Sequence, residues 1–464
     1  MTKSAQANDP LTVPNPNQKE DGPIKHGANK VFALLAEACD EESKFIDVCQ
    51  HKEHGSLQSV FGRLCAAQTA PENADKYKST VSKLAQDMMD DETNATDGPA
   101  SAGIAFLGQF IDHDITLEAT TELGKHPTAP VKELRNFRTP LLDLDSVYGS
   151  GPEVHPHLYD QKSKGKLLFG RENGEGKHYG NRFDLARNRD GRALIGDPRN
   201  DENLFVSQVH GRQFVQVHNA LVDHLGSYEA AREEMIARYH ARIVTEFLPA
   251  VVHEAVLQPF LNWYHHTSSA PITGQVDWNS IPDMPIEFAA AAFRFGHSMI
   301  RQEYALNHPK IKFPIFNGAL RGFSPVEEEH NLDFSMFFGE DSQKSRPIDT
   351  KLPEALHKLP EEIVGATGEA NLAARNIIRG QLTFKLPYGE DMALLMGKDV
   401  VPTHASIKEY GLTGQTPLSF YILHEAEHHK GKLGPVGGSI VAGTLVNLLH
   451  KTKRSFETAK ALVG

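Results

Sequence analysis

Cysteine is scarce in this chain, which has only three among 464 residues. Cys39, Cys49 and Cys65 all lie in the N-terminal part, and an odd number in a chain this long argues against a disulfide framework. Each is expected to behave as a small buried hydrophobic residue. A secretory signal is also lacking, because residues 1–27 are polar and proline-rich rather than basic and then apolar. These absences predict either the cytoplasm of a bacterium or export without an N-terminal signal peptide.

Excess positive charge and long apolar runs are absent too. The chain carries 48 Lys and Arg residues against 60 Asp and Glu residues, a formal net charge of -12. Nucleic acids and anionic membrane surfaces are therefore poor candidate partners. The longest apolar stretch, 436–449, is rich in glycine and shorter than the roughly 20 residues that a membrane-spanning helix needs. The sequence predicts a soluble globular protein without a transmembrane segment.

Alternating strand patterns, internal repeats and linkers are likewise scarce. We predict a mainly α fold with very little β structure, a flexible N-terminal tail over 1–27 and a single domain over 28–464. Helical patterns cover 30–38, 102–117, 214–240, 243–265 (interrupted at Pro249 and Pro259), 285–304 and 418–430. Long polar loops are predicted at 70–100, 118–132, 163–192 and 309–352. Loops of this length usually wrap a site or the surface of a larger core.

A histidine bracketed by two aspartates stands out within the apolar segment 104–117. On a helix, Gln109, Asp112 and His113 share one face, whereas Asp114 is turned about 100° away from His113. The first face offers a proton acceptor beside an amide, and Asp114 offers an anionic oxygen to something else. The alternative is a solvated polar stripe, which the apolar setting disfavours because buried charges need partners.

An acidic turn follows at residues 139–145. The Thr139 hydroxyl, the Leu141 carbonyl, Asp143 and Asp145 place oxygen atoms at alternating positions, which can converge on a hard cation such as calcium. Asp114 could complete this site from the helix. The alternative is an ordinary solvated turn.

Two further segments carry chemistry-bearing side chains. In 196–202, a proline turn can open a helix with Arg199 and Glu202 on one face, where the arginine either polarises an oxygen atom or forms an exposed ion pair with the glutamate. In 291–300, His297 follows a glycine among small and aromatic residues, which leaves room for a flat ligand. A neutral imidazole there suits an axial ligand of haem iron, the alternative being a hydrogen-bonded core histidine.

In their order along the chain, these segments resemble those of the animal haem peroxidases, the peroxidase–cyclooxygenase superfamily, over residues of about 103 to 446. The resemblance implies a helical fold with haem b between a distal and a proximal helix. It further implies that His113 is the distal histidine with Gln109 beside it, that Arg199 is the distal arginine, and that His297 is the proximal iron ligand.

The resemblance extends to residues around the haem and to a calcium site. Asn376 corresponds to the asparagine that accepts a hydrogen bond from the proximal imidazole, and Arg294 and Arg379 correspond to arginines near the haem and its propionates. The implied calcium ligands are Asp114, Thr139, Leu141, Asp143 and Asp145. Asp145 replaces a serine of the mammalian members, which adds a negative charge that favours a cation.

Covalent haem attachment is also implied as an option. Asp112 and Glu202 match the two carboxylates that form ester bonds to haem methyl groups in the mammalian enzymes. The methionine that forms a sulfonium bond there is replaced by Asn203, which excludes that link.

The implied reaction is peroxidase chemistry. Hydrogen peroxide is reduced through a high-valent iron–oxo state, and halide, thiocyanate or phenolic donors are oxidised. His113 takes a proton from the peroxide and returns it to the leaving oxygen, whose developing charge Arg199 stabilises. The nearest alternative is a fatty-acid oxygenase of the same superfamily. Such enzymes place a radical-forming tyrosine three residues before the proximal histidine, whereas this chain has Arg294.

A zinc peptidase is an alternative from another class. His424, Glu425 and His428 form an HExxH pattern on a predicted helix, in which the two histidines could bind zinc and the glutamate could act as base.

Overall fold

The computed structural model describes residues 61–90, 96–118, 123, 126–127, 130–170, 181–266, 269–316, 318–364 and 369–463. Helices dominate these residues and strands are two or three residues long, which confirms the prediction of a mainly α fold. The tail 1–27, the predicted helix 30–38, Cys39 and Cys49 lie outside the described residues. The single domain over 28–464 stays a prediction.

The α-helices span Ala74–Asp87, Gly103–Ile115, Asp145–Tyr148, Leu204–Gln208, Gln216–Leu225, Tyr228–Arg242, Leu248–Val251, Glu254–His266, Ile286–Ala290, Glu354–His357, Glu361–Val364, Leu372–Ile378, Gly389–Leu395, Ala405–Glu409, Leu418–Glu427 and Pro435–Val463. Shorter 3-10 turns lie at Val131–Glu133, Pro156–Leu158, Pro198–Asp201, Ala292–His297, Gly318–Leu320, Glu328–His330 and Phe334–Met336, and π-helical turns at Val209–Val215, Ile243–Phe247 and Arg379–Thr383.

The strands form small two-stranded pairs. Phe61–Gly62 runs parallel to Met284–Pro285, and Met89–Asp90 runs parallel to Leu352–Pro353. Ile272–Thr273 is antiparallel to Val276–Asp277, and Glu303–Ala305 is antiparallel to Lys312–Pro314. Among the described residues, no helix is both long and apolar enough to cross a bilayer.

The helix Gly103–Ile115, called here the His113 helix, is anchored in the main core by its apolar side chains. Phe110 is fully buried, stacks on Phe214 with ring centroids 4.2 Å apart, and meets the edge of Tyr239 at 6.0 Å. Burial of one such aromatic side chain contributes about 1.5–3 kcal/mol. The helix predicted over 102–117 is therefore confirmed, with ends displaced by one and two residues.

One predicted long helix is interrupted where no break was expected, and a second is interrupted at a different residue from those predicted. The helix predicted over 214–240 ends at Gly226, whose φ of 79° is left-handed, and restarts after Ser227 caps the next helix. In 243–265 the interruption is not at a proline but at Val252, where extended backbone bridges to Leu433. This pairing with a distant segment carries no local sequence signal.

The prediction of one helix over 285–304 is wrong. The helix Ile286–Ala290 stops at Ala291, where the backbone leaves helical geometry with φ −135° and ψ −66°. A 3-10 turn, Ala292–His297, follows and is called here the His297 segment. Residues 303–305 then form a strand. Because of this break, His297 does not lie on a continuation of the helix Ile286–Ala290.

Several helices were not predicted, and two of them are longer than ten residues. Ala74–Asp87 lies inside the predicted loop 70–100, although Asn73 caps it and Tyr77, Val81 and Leu84 recur at helical spacing on its buried face. Pro435–Val463 contains the glycine-rich stretch considered only for membrane spanning. Its buried residues 440–449 pack into the main core.

Candidate functional site

His113 is held by hydrogen bonds that fix the orientation of its ring. The side chain is buried, with 4% of its surface exposed, and Nδ1 lies 2.8 Å from Asn200 Oδ1. The Asn200 amide in turn lies 3.0 Å from Nδ1 of His210. Burial lowers the pKa of His210 to about 3, so that ring is neutral. With the amide oxygen toward it, His113 donates from Nδ1, and Nε2 is the ring nitrogen that remains for the proton transfer.

Nε2 of His113 faces a carboxylate and an amide. The distance from Nε2 to Glu202 Oε1 is 3.4 Å. Gln109, one turn earlier on the His113 helix, donates from Nε2 to the same carboxylate oxygen. Asn203 completes the group by donating to Gln109 Oε1 at 3.1 Å. A proton acceptor, a carboxylate and a primary amide are therefore held together at one point.

Arg199 is buried next to this group and is held by the carboxylate of Asp197. Its guanidinium contacts Asp197 at 2.8 Å from Nη2 and 3.2 Å from Nε, and Nη2 also donates to the His113 carbonyl at 2.9 Å. The alternative prediction, an exposed ion pair between Arg199 and Glu202, is wrong, because the Arg199 side chain is buried and its guanidinium contacts Asp197. Although burial alone would raise it, the charges of Arg199 and Arg138 hold the pKa of Asp197 well below its usual range.

Arg138 connects this region to the acidic loop, defined as residues 139–145. Its Nε lies 3.0 Å from Asp197 Oδ2, and its Nη1 lies 3.3 Å from Asp145 Oδ1. Gly196 permits the close approach, since a Cβ there would lie 2.6 Å from the carbonyl oxygens of Asp145 and Ser146. The two segments therefore form one electrostatic unit.

Asp114 points away from His113 into the acidic loop, as the helical spacing predicts. It is fully buried and accepts hydrogen bonds from Ser146 Oγ at 2.7 Å and from Leu144 N at 3.3 Å. Leu144 adopts left-handed geometry, with φ 61°, which is uncommon for a non-glycine residue.

The acidic loop gathers oxygen atoms around Asp114. Thr139 Oγ1 lies 3.1 Å from Asp145 Oδ2 and 3.4 Å from Asp143 Oδ1, and Leu141 lies between them in the chain. Burial and the charge of Asp145 raise the pKa of Asp143 to about 7, and burial with the charges of Asp145 and Asp143 raises that of Asp114 well above its usual range. These carboxyl groups repel one another, which favours a cation among them.

His297 lies close to the His113 helix, because the His297 segment packs against that helix. Its Nδ1 is 2.9 Å from the side-chain amide of Asn376, which presents either its nitrogen or its oxygen to the ring, depending on the tautomer of His297. A Cβ added at Gly296 would meet no atom within 4 Å apart from its chain neighbours, so open space adjoins the residue before His297.

Two arginines, Arg294 and Arg379, lie in the part of the structure that contains His297. Arg294 donates from Nε to the Ala289 carbonyl at 3.0 Å, and Arg379 contacts Glu118 at 2.8 Å. Burial, together with the nearby charges of Arg294 and Arg375, lowers the pKa of Arg379 despite the opposing effect of Glu118. The buried Nε of Arg379 has no hydrogen-bond partner among the described residues. An anionic group would complete this cluster.

The structure thus brings together most residues singled out from the sequence. Asp112 lies on the predicted face of the His113 helix, and its Oδ1 accepts from Thr116 Oγ1 at 2.8 Å. Sequence reasoning missed Asn200, Asp197 and Arg138. The only available signal was that Asp197 and Asn200 flank Arg199 in the chain.

The HExxH pattern does not form a peptidase site. Glu425 is buried and accepts from the backbone N–H groups of Val436 and Gly437 at 2.9–3.0 Å, which caps the start of the helix Pro435–Val463. His424 bonds to Glu427 and to the Pro402 carbonyl, each at 2.9 Å. The carboxylate required as base is therefore committed elsewhere.

Two curated relatives share part of this sequence. Chorion peroxidase of Aedes aegypti is 29% identical over 278 residues, which cover 54% of this chain and 33% of the relative. Alpha-dioxygenase PIOX of Pisum sativum is 34% identical over 119 residues, covering 25% of this chain and 16% of the relative. The chain thus spans a third or less of either relative.

Solved structures share the fold. Peroxidase A of Dictyostelium discoideum superposes with a TM-score of 0.54 at 16% identity, over 87% of this chain and 88% of that chain. A fatty acid alpha-dioxygenase of Oryza sativa, solved with palmitic acid, gives a TM-score of 0.58 at 15% identity, over 86% and 76% of the two chains. The likeness to both confirms the helical peroxidase-like fold.

The family described as animal haem peroxidase matches residues 124–383. That span contains Arg199, His297 and Asn376 and begins after His113. It covers 260 of the 464 residues, which is more than half of the sequence. The chain therefore belongs to the animal haem peroxidase family.

Proposed function

We propose that this chain is a haem peroxidase that reduces hydrogen peroxide and oxidises halide, thiocyanate or phenolic donors. The observation that carries the proposal is the arrangement around His113. One ring nitrogen is tied to Asn200 at 2.8 Å, and the other faces Glu202 at 3.4 Å with Gln109 beside it. A neutral imidazole fixed in this way can accept and return a proton.

The residues fit a bound haem on two observations. Open space adjoins Gly296 beside His297, and the buried Nε of Arg379 has no partner among the described residues. His297 would ligate the iron, Asn376 would accept its Nδ1–H and make the imidazole more electron-rich, and Arg294 and Arg379 would face the haem and its propionates. The haem would supply two-electron redox chemistry toward peroxide.

The protein residues then move and stabilise charge. Nε2 of His113 would accept a proton from hydrogen peroxide and return it to the oxygen that departs as water, with the two electrons for O–O cleavage supplied by the haem. As long as it is a free carboxylate, Glu202, 3.4 Å away, would stabilise the imidazolium while the proton resides there. Arg199, held by Asp197, contributes positive charge near the leaving oxygen, and Gln109 positions water or a halide. Asp112 and Glu202 are the proposed carboxylates for any ester bonds to haem.

The proposal includes calcium in the acidic loop. Support comes from the convergence of Asp114, Asp143 and Asp145 with the hydroxyl of Thr139. Leu141, whose backbone carbonyl is the remaining proposed ligand, lies in the same loop. Since Asp114 directly follows His113, an ion bound there would fix the end of the His113 helix.

A second candidate is fatty-acid dioxygenase activity, which the similarity to the pea and rice enzymes favours. Arg294 argues against it. A guanidinium occupies the position of the radical-forming tyrosine and is bound to the Ala289 carbonyl at 3.0 Å.

Parallel assays on the haem-loaded protein separate the two functions. In one, hydrogen peroxide is added with bromide, thiocyanate or a phenol, and the Soret band and product are followed. In the other, palmitic acid and oxygen are supplied without peroxide. The peroxidase proposal predicts a Soret shift and donor oxidation that fall sharply in His113→Ala. Regiospecific fatty-acid hydroperoxide formed without added peroxide would overturn it.

A further inference from the structure

We propose that His404, His424 and Glu427 form a binding site for a divalent transition metal of the zinc class, separate from the haem and calcium sites. Each residue offers one ligand atom, and the three atoms lie within 4.8 Å of one another. Two imidazoles and one carboxylate are donors that zinc prefers, whereas calcium requires mainly oxygen.

The hydrogen bonds of His424 prepare it to bind a cation. Pro402 O can only accept, so Nε2 of His424 donates to it at 2.9 Å. Nδ1 of His424 lies 2.9 Å from Glu427 Oε2. A proton on Nδ1 can bridge these two atoms as an ion pair, and a metal ion that binds both atoms would replace that proton. Two ligand atoms on tetrahedral zinc lie about 3.3 Å apart, so the 2.9 Å distance between His424 Nδ1 and Glu427 Oε2 would need to increase only slightly.

The remaining contacts resemble the support that metal ligands usually have. The other oxygen of Glu427 accepts from the backbone N–H of Thr350 at 3.0 Å, which orients the carboxylate. The His404 and His424 rings lie 4.9 Å apart and nearly perpendicular. Nδ1 of His404 accepts a 3.2 Å bond from Ser406 N, which metal binding would replace. The Glu427 side chain is 30% exposed, so an ion can enter from solvent.

The site would join parts of the chain that are distant in sequence. His404 precedes the helix Ala405–Glu409, and His424 and Glu427 end the helix Leu418–Glu427. That helix also contributes Ser419 and Ile422 to the pocket beside His297. A bound ion would therefore stabilise the His297 side of the molecule without contacting the haem.

The test is zinc binding to the full-length, haem-loaded protein after chelator treatment, with calcium present to occupy the acidic loop. Competition against a chromophoric zinc chelator and thermal unfolding are measured. We expect one zinc ion per chain, a higher Tm and an unchanged Soret band. No zinc binding at micromolar concentration would overturn the proposal.

Variants identify the ligands. His404→Asn can still cap the helix at Ser406 but loses the imidazole, and we expect it to weaken zinc binding by at least about 100-fold, since even outer partners of metal ligands contribute 10–100-fold. His428→Ala, from the same HExxH pattern, should bind like the wild type. Equal losses in both variants would refute this ligand set. Glu427→Gln provides a second ligand variant, and its unchanged zinc affinity would refute the proposal as well.

Discussion

Replacement of Asp197 by asparagine tests how Arg199 is held. Asp197 is fully buried and contacts two guanidinium groups, Arg199 at 2.8 Å and Arg138 at 3.0 Å. At 2.8 Å, with an effective dielectric constant of about 20, one such attraction is about 6 kcal/mol before desolvation is subtracted. Removing one partner of a buried pair typically costs about 3–5 kcal/mol. We expect Asp197→Asn to lower the free energy of unfolding by that amount.

The same change should slow the reaction with peroxide. Without the carboxylate, Arg199 keeps its bond to the His113 carbonyl and one neutral amide oxygen at position 197, but it loses the charged, two-oxygen contact that fixes its orientation. Removing a preorganised donor outright costs about 100- to 1,000-fold in rate, so loosening one should cost about 10-fold or more. Stopped-flow measurement of the Soret change against peroxide concentration gives this rate, and urea unfolding gives the stability.

Asp201→Asn is the matched control. Asp201 is also buried and contacts Arg187 at 2.6 Å, but Asp184 contacts the same guanidinium at 3.0 Å. We expect lower stability with an unchanged peroxide rate. If Asp197→Asn reacts with peroxide as fast as the wild type despite its lost stability, the positioning of Arg199 by Asp197 is refuted.

Three further predictions concern the base, the acidic loop and a buried glutamate. His113→Ala should keep its haem spectrum while its rate with peroxide falls by about 100- to 10,000-fold, as stopped-flow spectroscopy will measure; an unchanged rate would exclude His113 as the base. Chelation of calcium, and separately Asp114→Ala, should lower the Tm, and a Tm insensitive to chelator would refute calcium in the acidic loop. Burial raises the pKa of Glu287 to about 7 from an ordinary 4.5, so the folded state holds more protons between these values. Glu287 therefore contributes about 3 kcal/mol to the free energy of unfolding below about pH 4.5, and this contribution is lost as pH rises through 7. Glu287→Gln should therefore be more stable than the wild type at pH 8 in urea unfolding, and no difference there would contradict this assignment.

The sequence predicted helices best where local pattern and core packing agree. The His113 helix has apolar residues throughout its buried face, so its existence followed from the sequence alone. The helix expected over 285–304 failed because Ala291 and its neighbours have no local signal for a break. Its actual geometry depends on tertiary packing around His297, which overrides helix propensity.

The candidate site shows the same division. The direction of Asp114 away from His113 followed from helical geometry, and the structure agrees. The partners of His113 and Arg199 did not follow, because Asn200 and Asp197 meet them only after the 3-10 turn Pro198–Asp201 is folded against the His113 helix.

The sequence by itself determined the mainly helical fold class, the family resemblance and the residue types available for chemistry, because composition, periodicity and short motifs are local properties. Tertiary structure alone decided which of these side chains meet. Within the HExxH pattern it turned Glu425 toward a helix start and set His424 beside Glu427 and the distant His404. Contacts across the chain depend on how helices pack, and helix packing is a property of the whole core.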